Sequence, residues 1–205
     1  MNYIIKAIVF SSVILYTVGG YMKLDKEYND TPASPTVVEE NLDYLGRVET
    51  HEKTEGKRIK YALPNYDTYF KTYMSYKAIT NTRSAQYKLQ QQAWTDENGL
   101  RRIGDDYIIA VGTFYSNTIG DRFEVTLANG FTFTATVGDV KADYHTDSQH
   151  MYTPVYNERG RMISANVLEF VVDTSCLPKK VRQLGTVSGI KDFEGNIQSI
   201  EKIKE

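Results

Sequence analysis

Cysteine is nearly absent: Cys176 stands alone in 205 residues. That excludes an internal disulfide framework and any cysteine-built zinc or iron–sulfur site. Excess charge is missing too, with 24 Lys+Arg against 26 Asp+Glu and a net charge of −2. A chain without a basic field lacks the electrostatic footprint of a duplex-nucleic-acid binder. No P-loop, dinucleotide fingerprint or G-x-S-x-G elbow occurs, and no repeat or low-complexity tract. Tryptophan is limited to one residue and proline to five. Against these shortages, tyrosine is abundant, with 16 against 8 Phe. Tyrosine joins an apolar ring to a polar tip, which suits wet surfaces and sugar contacts. Apolar content of 41% and charged content of 24% belong to a globular chain. They exclude disorder throughout, collagen and a coiled-coil rod. The length suits one domain with appendages.

The long apolar run is at the N-terminus. From Ala7 to Met22 no charge interrupts it, and Lys6 precedes it. Residues 1–22 therefore read as an uncleaved signal anchor, a membrane helix, in preference to a cleaved signal peptide. The small-residue site Val18-Gly19-Gly20 is a poor cleavage signal. Either reading exports the rest of the chain, to the outer face of the membrane or beyond, and a lone cysteine fits that destination. Residues 23–64 read as a flexible linker. Two of the five prolines lie in Asp30–Thr36, and residues 39–60 mix six acids with five bases. A short helix is expected at 37–46.

Residues 65–205 read as the folded domain. Tyr66, Tyr69, Phe70, Tyr73, Met74 and Tyr76 lie at helical spacing and predict a helix over 66–78. This helix either packs on the domain or forms an aromatic wall for a glycan. Tyr87, Leu89, Gln91 and Ala93 alternate with polar residues and predict a strand. That strand turns at Thr95-Asp-Glu-Asn-Gly99 into a hairpin partner. Further strands are expected at Tyr107–Tyr115, Arg122–Leu127, Phe131–Val137, Asn166–Asp173 and Asn196–Ile203. Asn129-Gly130 is a strong hairpin turn. A short helix is expected at Leu177–Leu184. The class is mainly β with short helices, a small barrel.

The densest polar segment is Asp139–His150, with Asp139, Asp143, Asp147, His145 and His150 after a strong strand. Three readings stand. Asp143, His145, Asp147 and His150 are candidate ligands for a divalent metal. Alternatively, one carboxyl serves as an acid or base after desolvation. In the third reading the segment is a loop whose side chains cap its own backbone. Asp173, at the end of a strand, is a second candidate acid and also a helix N-cap.

The order of these features resembles the double-psi β-barrel of the rare-lipoprotein-A and expansin type, over residues 107–203. Ala110–Tyr115 is similar to the family's opening strand. Ile119–Leu127 and Asn129–Asp139 resemble its next two strands and terminal aspartate. Leu168–Ser175 resembles its "I-I-D-L-S" strand end, followed by a helix. The segment Val140-Lys141-Ala142 departs from the family's usual Arg-Gly-Pro. The resemblance implies a six-stranded barrel that binds or cleaves cell-wall polysaccharide without a cofactor. In a lytic transglycosylase of this kind, Asp173 is the general acid and Asp139 lines the same groove. The sugar contacts then fall to Tyr115, Tyr144, Tyr152 and Lys141. Peptidoglycan glycan strands are the implied substrate. A wall-binding or envelope-assembly module without catalysis is the alternative, with loop 139–150 stabilised by metal in a further variant.

Overall fold

Strands form where β-branched and aromatic residues alternate with polar ones, and their register follows from which face each apolar set buries. The computed structural model describes residues 57–204 and, as backbone, the strands 40–42 and 48–50. The chain divides into two units, Met1–Lys53 and Thr54–Glu205. In the first, β1 (Glu40–Leu42) pairs antiparallel with β2 (Val48–Thr50). The helix expected at 37–46 is thus replaced by strand at 40–42. The membrane-helix reading of 1–22 lies outside the described residues. Among the described residues no helix is long and apolar enough to cross a membrane.

The second unit is mainly strand. Its elements are β3 (Arg58–Lys60), β4 (Tyr73–Ser75), α1 (Ala85–Gln92), β5 (Trp94–Thr95), β6 (Arg101–Ile103) and β7 (Asp106–Val111). After these come β8 (Arg122–Leu127), β9 (Thr132–Val140), β10 (Thr153–Tyr156), β11 (Met162–Asn166), β12 (Leu168–Val172), α2 (Lys179–Leu184) and β13 (Ile197–Ile203). A nine-stranded sheet runs β3-β13-β8-β9-β7-β12-β4, with β5 and β6 attached beside β7. β7 is parallel to β9, and β12 is parallel to β4. β10 and β11 form a separate hairpin. The expected closed barrel of six strands is not formed: β3 and β4 are edges, and no ladder joins them.

A strap of extended chain links the two edges instead. Asp67 O accepts from Ala165 N–H (2.6 Å), and Thr68 Oγ1 accepts from Ile197 N–H (2.8 Å). Lys71 N–H donates to Thr186 Oγ1 (3.1 Å), and Thr72 N–H to Asn166 Oδ1 (3.1 Å). These partners lie far along the chain and hold 66–72 extended, so the helix expected at 66–78 gives way to the strap, β4 and one 3-10 turn at 76–78. The reverse correction applies at 85–92, which is helix and not strand. Ser84 Oγ caps it by accepting from Tyr87 N–H (3.1 Å), and Ala, Gln, Lys and Leu favour the helix.

One face of the sheet buries the main core, including Ile109, Val111, Phe123, Val125, Phe133, Val137, Phe170 and Ile200. On the opposite face α1 places Leu89 against Ile108 and Val171. Arg101 fastens this helix. Its guanidinium donates to Gln90 O (2.8 Å), Ala93 O (2.9 Å), Gln90 Oε1 (3.2 Å) and Thr95 Oγ1 (2.9 Å), and lies over the Tyr76 ring.

Candidate functional site

The loops after the parallel strands β7 and β9 leave the sheet side by side, at the C-terminal ends where open parallel sheets present functional groups. A β-bulge at Gly138 decides how Asp139 enters that place. Ile109 pairs with Val137, yet Ala110 pairs with Asp139, so one extra residue is absorbed. The bulge turns Asp139 away from the core face that Val137 occupies. Only glycine fits at 138, because a Cβ there would lie 2.1 Å from Ile108 Cγ2.

Asp139 is half-buried beside the Gln86 side chain of α1. Burial raises its pKa above the usual 3.8, against the Val140 amide and Gln86, which oppose the rise. Ala110 lies between Asp139 and Glu169 in register, and Thr72 Oγ1 donates to Glu169 Oε1 (3.0 Å). Two strand spacings separate the two acids, about 10 Å between Cα atoms. Lys141, next on the same face, is buried and donates from Nζ to Asn166 O (2.6 Å). Desolvation pulls it down to about 8, against the field of Glu169.

The loop itself is built by its acids. Partial burial would raise the Asp147 pKa, but the amides of Tyr152, Gln149 and Met151 outweigh it and hold the carboxyl below the usual range. Asp143 Oδ1 accepts from Thr113 Oγ1 (2.8 Å) and lies 3.6 Å from His150 Nδ1. The same His150 nitrogen lies 3.1 Å from Thr146 Oγ1. His150 has φ +58°, an uncommon conformation for a residue with a side chain. Its carbonyl presses on Gly112, where a Cβ would lie 1.9 Å from His150 O. His145 packs instead against Tyr144 (4.1 Å between rings). Among the described residues no group of three His, Cys, Asp or Glu is placed to hold a metal.

Asp139 and Asp173 do not line one groove. Asp173 lies four residues beyond Glu169 along β12, about 13 Å away, with the Leu89–Ile108–Val171 contact under α1 between them. Its Oδ1 accepts from Ser175 Oγ (2.6 Å) and Ser175 N–H (3.0 Å). The Ser175 contacts hold its pKa below 3.8, the opposite of what a general acid needs. Asp173 thus caps its own turn.

The tyrosines divide. Tyr115 is in the core, donating from its hydroxyl to Ala62 O (3.1 Å), and burial drives its pKa well up. It offers no stacking surface. Tyr144 is 83% exposed. Tyr152 is half-buried and packs 5.8 Å from the ring of Tyr66, which is 58% exposed. The sequence reading missed Glu169, Thr113 and Gln86. Glu169 carried a signal, as the one acid inside the apolar run Leu168–Val172; the other two did not. No family model, curated protein or solved structure compared with the chain matches it.

Proposed function

We propose that the protein is an exported, membrane-tethered envelope protein that cleaves peptidoglycan glycan strands in the manner of a lytic transglycosylase, with Asp139 as general acid. The observation that carries this is the raised pKa of Asp139, produced by burial at the end of β9. In its protonated form this carboxyl donates to the glycosidic oxygen as the C–O bond breaks. The sugar's own 6-hydroxyl then closes the anhydro ring and returns its proton to the Asp139 carboxylate. One acid suffices for this route, whereas hydrolysis normally needs two carboxyls. The strand pairs β7–β9 and β4–β12, both parallel, support reading the open sheet as a relative of the double-psi barrel. Residues 1–22 are the membrane anchor in this proposal.

The exposed Tyr66, packed on the half-buried Tyr152, together with the exposed Tyr144 favours a second reading, a module that holds glycan without cutting it. Digestion of purified sacculi, with soluble products read by mass spectrometry, separates the two. Anhydro-muropeptides that persist in Asp173→Asn and vanish in Asp139→Asn are expected. Pelleting on sacculi without products moves the protein to the binding class. Hydrolytic products with free reducing ends replace the lytic route by one that uses Asp139 and Glu169 together.

A further inference from the structure

A groove of about 330 Å³ opens at the other end of the parallel pair, where β9 starts. It lies about 20 Å along β9 from Asp139. β9 reaches past the start of β7 here, because the β7–β9 ladder begins only at Tyr107–Ala135. Leu127 N–H donates to Phe131 O (2.9 Å), which fixes the alternation on β9. Phe131, Phe133 and Ala135 turn their main-chain groups to β8, and Thr132 and Thr134 turn theirs to the opposite edge. The N–H and C=O of Thr132 and the N–H of Thr134 thus face the groove, and among the described residues no strand lies beside them.

The walls suit a polypeptide. Phe131 offers apolar surface on one side, with the core residue Phe133 behind it, and Glu124, ion-paired with Arg58, closes the other. Arg102 lies at one end, its guanidinium 4.0 Å from the Tyr107 ring centre and 5.6 Å from that of Trp94. Its Nη2 donates to Asp105 O, and among the described residues its buried Nε has no acceptor. Asp105 is an exposed acid at the rim.

We propose that this groove binds a short extended peptide, which adds to the free edge of β9 in line with β7. Main-chain pairing with Thr132 and Thr134 supplies the register. The occupant alternates apolar side chains, against Phe131, with basic ones toward Asp105.

Trp94 is the only tryptophan, half-exposed beside the groove, and so reports on it. The probe is the tetrapeptide Ac-Lys-Val-Lys-Val-amide, titrated into the ¹⁵N-labelled protein. A saturable change in Trp94 fluorescence is expected, with hydrogen exchange at the Thr132 and Thr134 amides slowed at least tenfold. A backbone N-methylated tetrapeptide fails to do this, as does Thr132→Pro, whereas Thr132→Val, which loses the same hydroxyl contact to Thr126 but keeps the N–H, binds the probe. Asp139→Asn binds the probe as the parent does, so failure of the glycan reading leaves this result standing. The proposal is overturned if millimolar tetrapeptide leaves both amides unprotected or if the N-methylated peptide binds equally. Protection of the same amides by chitotetraose and not by peptide also overturns it.

Discussion

Two lysines are buried with their ammonium groups donating to backbone carbonyls, and this gives the protein an unusual response to alkali. Lys71 is fully buried, donating from Nζ to Gly195 O (2.6 Å) and Tyr69 O (3.0 Å). Desolvation takes it from 10.5 to about 8, with Asp67 opposing. Lys141 falls to about 8 for the same reason. A folded state that binds these protons less tightly than the unfolded chain is destabilised wherever both states are protonated. The penalty is full below about pH 8 and is relieved as pH rises toward 10.5. At ~1.4 kcal/mol per pH unit, each lysine withholds ~3 kcal/mol at neutral pH. Between pH 7 and 9.5 each returns about 2 kcal/mol, together about 4. Tyr115 acts in the opposite sense, since its folded pKa lies above the unfolded 10, but only above about pH 10. Urea unfolding followed by circular dichroism at pH 7, 8, 9 and 9.5 measures the slope. Lys71→Met is expected to halve it. At pH 7 that variant stays within about 2 kcal/mol of the parent, because the lost desolvation penalty offsets the orphaned Gly195 carbonyl. A stability that is flat or falling from pH 7 to 9.5 refutes the argument.

Arg101→Met strips four hydrogen bonds from the end of α1 and is expected to cost about 3 kcal/mol or more in urea unfolding. Arg101→Lys recovers only part, because an ammonium lacks the fork. Gly112→Ala forces the His150 carbonyl away and is expected to lower the melting temperature and shift the loop resonances of His150, whereas Ala at the open position Gly160 leaves those resonances in place. Asp106 is buried, which alone would raise its pKa, yet Arg122 (2.7 and 3.0 Å) and Thr136 (2.7 Å) hold it lower. Its contribution is present above the unfolded pKa near 3.8 and is lost as pH falls through the folded value. Asp106→Asn is therefore expected to flatten the acid limb of the stability curve.

Local chemistry made some elements legible. Arg122–Leu127 alternates cleanly and forms β8 over those same residues, and Asn129-Gly130 turns it into β9. Residues 66–78 and 85–92 were each assigned the wrong period. In the first, an aromatic stripe at helical spacing is held extended by partners about 95 to 130 residues away. In the second, two-residue alternation hid a helix that Ser84 starts. The candidate site shows the same division. The cluster Asp139–His150 was visible as composition, but its pairing was not.

The sequence by itself determined a mainly β domain with short helices, because alternation and turn residues act over a few neighbours. It also determined which segment holds the polar cluster. Only the tertiary structure decided that the sheet stays open, since closure depends on which distant edges meet. It decided too that the Gly138 bulge sets Asp139 apart from Val137. And it decided that Asp173 stands about 13 Å from Glu169 along β12, across an apolar contact from Asp139. Strand register and desolvation are properties of the packed sheet, and spacing along the chain does not carry them.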